Sequence, residues 1–348
     1  MIKKIISLIF LIILVVTTLF IYLQKDTLAQ YINELFSTQI ISGGVEELIG
    51  LKNTDGRTNF LILGTDTRQN GSSINTKLTD SIMVLSMNKD NGDVTLISIP
   101  RDLWIPSIGY KINAVYTITK GDIEEVKKVV SSIVGLEIHY YSIVNFQVFT
   151  DLIDDLGGIE INVPNAFTDY KYPIEGREDA PENLRYETLT FKSGLQTMDG
   201  ETALKYARSR HAANIEEAGD FARARRQQIV IEAIKNKVLS ADSLFNANKF
   251  LNLYSTYADN VETDFKLPQA TFFIKNIEQV RNGMIKNIVL SNETYNENIP
   301  GSGLLRANTT EEKENIHRNQ FVLIPVANTY EAIQVLIRSH LFQSDKSN

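Results

Sequence analysis

The segment NFLILGT, residues 59–65, is short and largely apolar, and the polar run DTR follows it at once. Two similar segments come next, SIMVLSM at 81–87 and VTLISI at 94–99. Short, β-branched, apolar runs are typical of strands that are covered on both faces. Between the second and third segments, NKDNGD (88–93) contains the Asn-Gly pair that favours a tight turn. These segments therefore predict the first strands of a sheet buried between two layers.

Helical patterns alternate with further strands downstream. In residues 120–136, Asp122 and Glu125 have capping-box spacing, and apolar residues recur at helical intervals. A strand is predicted at 138–144, a glycine-terminated helix at 145–158 and a strand at 159–163. Strands that alternate with helices indicate an α/β sandwich. The last strand and helix, FVLIPV and TYEAIQVLIRSHLF, are expected to complete the same sheet.

The remaining regions are assigned from composition. Residues 165–193 are polar, aromatic and charged, and we expect a long excursion or lid there. A helix is predicted from Asp199 to Lys205, and a longer one from about Asp220 to Leu239. Residues 291–319 are predicted to form a polar loop.

The N-terminus carries an uncharged apolar run of 19 residues, from Ile5 to Leu23. As a helix it would span roughly 28 Å, close to the ~30 Å hydrocarbon core of a bilayer. A signal peptide is the alternative, but it usually has a shorter apolar region and a small-x-small cleavage site, and no A-x-A pattern follows here. Lys3 and Lys4 precede the run, so the positive-inside rule leaves the rest of the chain outside the cytoplasm.

The predicted domains follow from this layout. They are a transmembrane anchor at 1–24, a juxtamembrane stalk at 25–55 and an extracytoplasmic domain at 56–345. The last includes the polar loop 291–319 and the closing strand and helix. We therefore expect a single-pass protein of the cell membrane with a cytoplasmic N-terminus.

Composition excludes several classes of function. The formal net charge is -7 and the pI is near 5.3, which argues against a general nucleic-acid binder. The chain has no cysteine, so disulfides and thiolate-based metal or catalytic sites are excluded.

Two acidic residues stand at strand ends. Asp66 follows the first strand and Asp80 precedes the second, where open α/β sheets expose functional groups. A pair of loop carboxylates can hold Mg²⁺, which accepts a few carboxylates together with phosphate and water oxygens. The alternative is that both residues only cap turns.

A basic residue ends the third strand. In SIPRDLWIP (98–106) the strand is expected to stop at Pro100, which places Arg101 and Asp102 at its end. Either Arg101 serves a site at this edge of the sheet or it forms a salt bridge at its rim.

The stretch YARSRHAANIEEAGDFARARRQQ, residues 206–228, concentrates five arginines in an acidic chain. Arg208 and Arg210 are two apart, so in extended backbone they point the same way. Asp220, Arg223 and Gln227 are spaced by three and four, so they share one helix face. Arg226 is expected beside that face, and Arg225 is expected to point elsewhere, into solvent.

The charge of this stretch has two interpretations. Guanidinium groups that converge without equal carboxylates require an anionic ligand, and their planar fork suits phosphate oxygens. The other interpretation is a surface ion network with Glu216, Glu217 and Asp220. His211 lies next to Arg210, whose charge should favour the neutral imidazole, so we expect a structural neighbour rather than a base.

Taken together, the motifs resemble those of the LytR–CpsA–Psr family of cell-wall glycopolymer ligases. They occur in the family's order over about residues 58–240, after an N-terminal anchor: ILGTDTR, LTDSIMVLS, SIPRDLWIP, KINAVY, LGGIEINVP, DGETALKYARSRH and DFARARRQQ. The resemblance implies a three-layer α/β/α sandwich with a mixed central sheet and an apolar tunnel for a polyprenyl lipid.

The resemblance also implies a site. Asp66 and Asp80 match the acids that hold Mg²⁺, and either is a candidate base. The lipid pyrophosphate is expected against these matching residues: Arg101, Arg208, Arg210, Arg223, Asp220, Gln227 and, from KINAVY, Lys111.

The reaction implied by the resemblance transfers a phosphoglycan from a polyprenyl-pyrophosphate carrier to peptidoglycan, at the C6 hydroxyl of N-acetylmuramic acid. Two other functions stay open at this point. One is a pyrophosphatase of the same lipids, and the other is a non-catalytic, membrane-anchored binding or regulatory protein.

Overall fold

The structure, a computed structural model, describes residues 51–65, 78–174, 176–177, 179–238, 261–265, 276, 279 and 282–342. The predicted anchor, most of the predicted stalk and Asp66 lie outside these residues. Among the helices that are described, none is both long enough and apolar enough to cross a membrane.

The described strands, in chain order, are β1 (Arg57–Thr65), β2 (Thr79–Asn88), β3 (Val94–Ile99), β4 (Trp104–Ile105), β5 (Tyr110–Lys111), β6 (Tyr140–Val144), β7 (Ile159–Val163), β8 (Phe167–Pro173), β9 (Tyr186–Phe191), β10 (Gly194–Met198), β11 (Glu262–Thr263), β12 (Ile285–Val289), β13 (Leu305–Ala307) and β14 (Leu323–Pro325). The α-helices are α1 (Val115–Ile118), α2 (Ile123–Val134), α3 (Phe146–Asp155), α4 (Glu182–Arg185), α5 (Gly200–Arg208), α6 (Gly219–Val238), α7 (Thr310–Asn315) and α8 (Glu331–Phe342).

Six strands form the central sheet in the order β11-β6-β1-β2-β3-β12. Strand β2 runs antiparallel to both β1 and β3, and β11 runs antiparallel to β6. The pairs β1–β6 and β3–β12 are parallel. The sheet is therefore mixed, and its three central strands are those that the apolar segments predict.

Helices cover both faces of this sheet. Phe60 and Ile62 of β1 pack into an apolar cluster with α3, α5 and α6. Leu61 and Leu63 point the other way and pack with α2 and α8. Because alternate residues of a strand point to opposite faces, a strand that is apolar throughout needs such cover on both sides. All nine residues of β1 are buried, which confirms the expected α/β layering.

One edge of the sheet gathers the segments predicted to carry the site. Strand β2 runs opposite to β1, β3 and β12, so it begins where those three end. Gly64 pairs with Ser81, Ile82 with Ile99, and Ser98 with Val289 at this edge. Asp80, the second residue of β2, and Arg101, two residues after the end of β3, therefore lie close together.

The prediction that the last strand completes this sheet is wrong. Strand β14 pairs with β13 in a separate two-stranded sheet, and the place beside β3 belongs to β12. Pro325 ends β14, and a proline cannot donate a ladder hydrogen bond, which suits a short strand outside the central sheet. The preceding region is also more ordered than the predicted polar loop 291–319. It contains β13 and helix α7, which begins with a capping box between Thr309 and Glu312.

The predicted excursion at 165–193 is instead a β-hairpin. Strands β8 and β9 pair antiparallel, and Phe167 of β8 contacts Phe191 of β9 with their ring centroids 5.1 Å apart. Both rings join the apolar cluster beneath α5. The outer face of the hairpin is polar, and this composition led to the loop assignment.

Candidate functional site

A cleft opens at the sheet edge described above, against the first turns of α6. Its walls combine polar residues from three elements with apolar side chains behind them. The polar residues that line it are Asp80, Ser81, Ser98, Arg101, Asp220, Arg223 and Gln227. The structure thus brings together five of the residues that the sequence assigns to a site: Asp80, Arg101, Asp220, Arg223 and Gln227.

Arg101 lies at the centre of this cleft among three carboxylates. Its guanidinium nitrogens are 3.4 Å from Asp80, 3.6 Å from Asp102 and 3.9 Å from Asp220. Burial lowers the pKa of Arg101, but the charges of Asp80, Asp220 and Asp102 outweigh burial, and the net effect is a raised pKa. The Arg101 side chain therefore stays cationic and is held from several directions.

Arg223 is buried more deeply, with 5% of the residue exposed. Its Nη1 atom is 2.6 Å from Asp220 Oδ1. Burial is the largest cause that lowers the pKa of Arg223 to about 9; Asp220 opposes the change, and the charges of Arg101 and Arg210 add to it. Even so, the guanidinium is protonated at neutral pH, and an additional anion beside it would be favourable.

Among the buried donors of the cleft that make no hydrogen bond within the described residues are Nε of Arg101 and Nε of Arg223. The Arg101 Nε has only longer ion-pair contacts, to Asp102 and Asp220. Buried donors in native proteins are almost always hydrogen-bonded, so an unpaired one marks a place for a ligand or water oxygen. Their position in one cleft suits an oxyanion such as phosphate.

The balance of charge differs from the expectation of arginines without equal carboxylates. Asp80, Asp102 and Asp220 surround Arg101, and two of these three come from outside the arginine-rich stretch. Counting charges within residues 206–228 could not include them. Asp220 stays ionised, because Arg223, Arg101 and Arg210 lower its pKa against the opposing effect of burial.

The KINAVY segment holds the carboxylates of the cleft. Lys111 Nζ is 2.6 Å from Asp102 Oδ1, and Asn113 Nδ2 donates to Asp80 Oδ1 at 3.3 Å. Lys111 thus contacts the outer carboxylate beside Arg101. Its predicted contact with pyrophosphate stays a prediction.

Arg208 and Arg210 do not lie on one extended strand. Helix α5 continues to Arg208, three residues beyond the predicted end, and only Ser209 begins the extended backbone. The Arg208 guanidinium carbon is 4.8 Å from the Phe146 ring centroid and 5.4 Å from that of Tyr172. The charge of Arg210, in contrast, acts on Asp220 and Arg223 in the cleft.

Arg225 and Arg226 have structural partners. Arg225 pairs with Glu293 at 3.0 Å and is not simply solvated. Arg226 is buried, not beside the cleft: it pairs with Glu217 at 2.6 Å and lies over the Phe167 ring at 4.5 Å. From its place on α6 it extends toward the hairpin. There it packs against the Phe167 ring and donates to backbone carbonyls.

Gln227 and His211 also belong to the stretch 206–228. Gln227 is buried and donates to the carbonyl of Ala207 at 3.2 Å. The pKa of His211 is lowered, first by burial and then by Arg210, the direction expected from the sequence. A neutral imidazole here is consistent with a structural neighbour.

The described residues include one of the two predicted magnesium ligands. Asp80 is present at the cleft, whereas the second predicted ligand, Asp66, lies outside the residues described. Within the described ranges no group of three or more acidic or histidine side chains is placed to hold a metal ion. Asp80, the predicted ligand that the structure describes, also pairs with Arg101 at 3.4 Å.

Sequence reasoning missed three residues that support the arginines. Phe146 and Tyr172 enclose Arg208, and the buried carboxylate of Asp169 binds the backbone of Arg210. The only local signal was the aromatic content of the 165–193 region. Their function depends on pairing between distant segments, which no local pattern encodes.

Comparisons with known proteins show what the chain is similar to. A sequence model of the LytR_cpsA_psr family matches residues 23–320. "Regulatory protein MsrR" of Staphylococcus aureus is 30% identical over 274 residues, covering 77% of this chain and 76% of that protein. A Bacillus subtilis protein, "Polyisoprenyl-teichoic acid--peptidoglycan teichoic acid transferase TagV", is 31% identical over 196 residues, covering 55% of this chain and 46% of its own length.

Solved structures show the same fold. The crystal structure of B. subtilis TagV superposes with a TM-score of 0.58 at 22% identity, covering 83% of this chain and 98% of that one. The Enterococcus faecalis structure described as transcriptional regulator EF0465 gives a TM-score of 0.57 at 24% identity, covering 82% of this chain and 87% of that one.

Proposed function

The chain belongs to the LytR–CpsA–Psr family, and from that premise we propose that it transfers a phosphoglycan from a polyprenyl-pyrophosphate carrier to peptidoglycan. The cleft carries this proposal, because Arg101 and Arg223 line it and each has a buried Nε that makes no hydrogen bond within the described residues. Paired guanidinium groups suit a pyrophosphate better than a neutral substrate.

The names of the relatives support a transferase of the cell wall. TagV is named as a teichoic acid transferase to peptidoglycan, and MsrR is named as a regulatory protein. The choice of an enzyme for this chain therefore rests on the cleft and on the transferase relatives together. The donor glycan is left open.

The proposed reaction forms one phosphodiester bond and breaks one phosphoanhydride bond. The oxygen of a peptidoglycan hydroxyl, which we place at C6 of N-acetylmuramic acid, attacks the phosphorus that bears the glycan. The bridging oxygen leaves with the lipid as polyprenyl monophosphate, and the hydroxyl proton passes to a carboxylate, Asp66 or Asp80, or to solvent. Such transfers depend mainly on positioning and on neutralising charge.

The side chains of the cleft would supply that positioning. Arg101 and Arg223 would donate to non-bridging oxygens, and Asp220 keeps the Arg223 guanidinium in place at 2.6 Å. Arg208 and Arg210 would contribute further positive charge. The site also lies at the first turn of the 20-residue helix α6, and helix N-termini favour anions.

We further propose that Asp66 and Asp80 hold Mg²⁺. When bound, Mg²⁺ would supply positive charge to phosphate oxygens. The place of Asp80 in the wall of the cleft supports this role.

The metal proposal predicts different results for two neighbouring carboxylates. We expect Asp80→Asn to raise the Mg²⁺ concentration for half-maximal activity by about tenfold or more, the effect of losing one charged ligand. Asp102→Asn is the matched control, since Asp102 also faces Arg101, at 3.6 Å, but is not a predicted ligand. Mn²⁺ binding by electron paramagnetic resonance gives a second readout. Equal Mn²⁺ affinity in wild type and Asp80→Asn would contradict the assignment.

The lipid substrate fits the predicted topology. We propose that residues 1–24 anchor the chain in the cell membrane, with the N-terminus in the cytoplasm and the catalytic domain outside. The polyprenyl chain would then reach the cleft from the outer leaflet and occupy the apolar tunnel that the family resemblance implies.

Product analysis separates this function from its alternatives. The full chain is incubated with polyprenyl-pyrophosphate glycan, Mg²⁺ and peptidoglycan, and the products are identified by mass spectrometry. Glycan joined to peptidoglycan by a phosphodiester supports the ligase. Free phosphoglycan without transfer supports a pyrophosphatase, and tight lipid binding without turnover supports a binding or regulatory protein.

A further inference from the structure

Strand β8 carries a β-bulge close to Arg210 and His211. Its register with β9 shifts between Asp169 and Tyr172, where β8 has one residue more than the facing stretch. In a regular strand, residues three apart point to opposite faces. Here Asp169 and Tyr172 are both buried, whereas Tyr170 and Lys171 between them are exposed. The bulge therefore turns both buried side chains to the same face.

Asp169 connects this bulge to the arginine segment. The residue is 1% exposed, and its Oδ1 atom accepts from the backbone N–H of Lys171 at 2.9 Å. Its Oδ2 atom accepts from the backbone N–H groups of Arg210 at 2.9 Å and His211 at 3.2 Å. A buried carboxylate is tolerated because these three donors satisfy it.

The backbone around Arg210 is fixed from other sides as well. The carbonyl of Arg210 accepts from Gly219 N at 2.8 Å, at the start of α6. The carbonyl of Ser209 accepts from the Arg226 guanidinium. Asp169 accepts from the N–H group of Arg210. The N–H and carbonyl groups on both sides of Arg210 are therefore hydrogen-bonded. The backbone that carries the Arg210 side chain is thus fixed, and the charge of this side chain acts on Asp220 and Arg223.

The second side chain that the bulge turns inward supports Arg208. Tyr172 is buried, and its ring lies 5.4 Å from the Arg208 guanidinium carbon, with Phe146 at 4.8 Å. Cation–π contacts of this kind fix the plane of a guanidinium group. One bulged strand therefore contacts both arginines of the 208–210 segment.

We propose that Asp169 is a positioning residue for the anion site: through the N–H groups of Arg210 and His211 it fixes the backbone from which the charge of Arg210 acts on the cleft. This role rests on the proposed function, because it concerns the site for the lipid pyrophosphate. Asp169 faces the backbone and acts on the substrate only through Arg210.

A double-mutant cycle tests this role. Affinity for inorganic pyrophosphate is measured by calorimetry on the full chain, for wild type, Asp169→Asn, Arg210→Ala and the double variant. We expect Asp169→Asn to weaken binding about tenfold, the effect of misplacing one charge-assisted contact. In the Arg210→Ala background the same change should weaken binding less than about twofold, since the residue it positions is gone. A purely structural role would weaken binding equally in both backgrounds.

Controls keep the result interpretable. Asp122→Asn alters another carboxylate that accepts two backbone N–H groups, at the start of α2, and should leave pyrophosphate affinity unchanged. If Asp169→Asn does not fold, Asp169→Glu retains the buried charge but displaces the 210–211 backbone, and it should show the same dependence on Arg210. Equal losses in both backgrounds, or no pyrophosphate binding by wild type, would overturn the proposal. The assay contains no glycan or acceptor. If the chain binds pyrophosphate but transfers no glycan, the proposed transfer fails while the role of Asp169 can still be tested.

Discussion

Arg101→Ala should reduce the kcat/KM of glycan transfer by about 10³-fold, the range found when a donor to transition-state charge is removed. Arg101 faces three carboxylates in the cleft, at 3.4, 3.6 and 3.9 Å, and its Nε makes no hydrogen bond within the described residues. Its loss removes a donor to the phosphate oxygens and leaves the aspartates without their shared cation. The measurement is the rate of phosphodiester formation with the full chain.

Two further variants make the result specific. Arg101→Lys keeps the charge but not the planar fork, so it should restore only part of the rate. Arg225→Ala removes a neighbouring arginine whose partner is Glu293, outside the cleft, and should change kcat/KM less than about threefold. Wild-type turnover by Arg101→Ala would contradict the role assigned to Arg101.

Arg226→Met should lower the free energy of unfolding by about 3–5 kcal/mol, the cost of breaking a buried ion pair from one side. The Arg226 side chain is 2% exposed and that of Glu217 12%, with 2.6 Å between them. Arg226 also donates to the carbonyls of Tyr206, Ser209 and Glu217. Its removal takes one donor from the Glu217 carboxylate, which keeps Asn165, and one from each of these carbonyls.

The next residue along the chain provides the control for stability. Arg225→Met disrupts a pair whose side chains are both 34% exposed, and should cost less than about 1 kcal/mol. Urea unfolding of the full chain compares the two variants. Equal losses at 225 and 226 would show that Arg226 does not have the structural role inferred from its burial.

The central strands were predictable because their signal is local. Strands β1, β2 and β3 have largely apolar central runs and are buried almost throughout, and such runs are typical of a layer that is covered on both sides. Strand β12 was missed for the opposite reason. Its sequence IKNIV places Lys286 and Asn287 in the middle, which is acceptable only at the edge of a sheet.

The features of the site that the sequence did not predict depend on contacts between distant segments. The spacing of Asp220, Arg223 and Gln227 predicts a shared helix face, and all three line the cleft. The approach of Asp80 to Arg101, the burial of Arg226 against the hairpin and the hydrogen bond from the Arg210 backbone to Asp169 depend on tertiary packing. No spacing rule within residues 206–228 contains that information.

The central claim is that one cleft binds the lipid pyrophosphate through some of these arginines and not others. A crystal structure of the full chain with bound polyprenyl pyrophosphate tests it directly. We expect phosphate oxygens about 3 Å from the guanidinium nitrogens of Arg101 and Arg223. Arg225 should keep its ion pair with Glu293. Pyrophosphate bound outside this cleft, or Arg225 turned from Glu293 to the phosphates, would contradict the account.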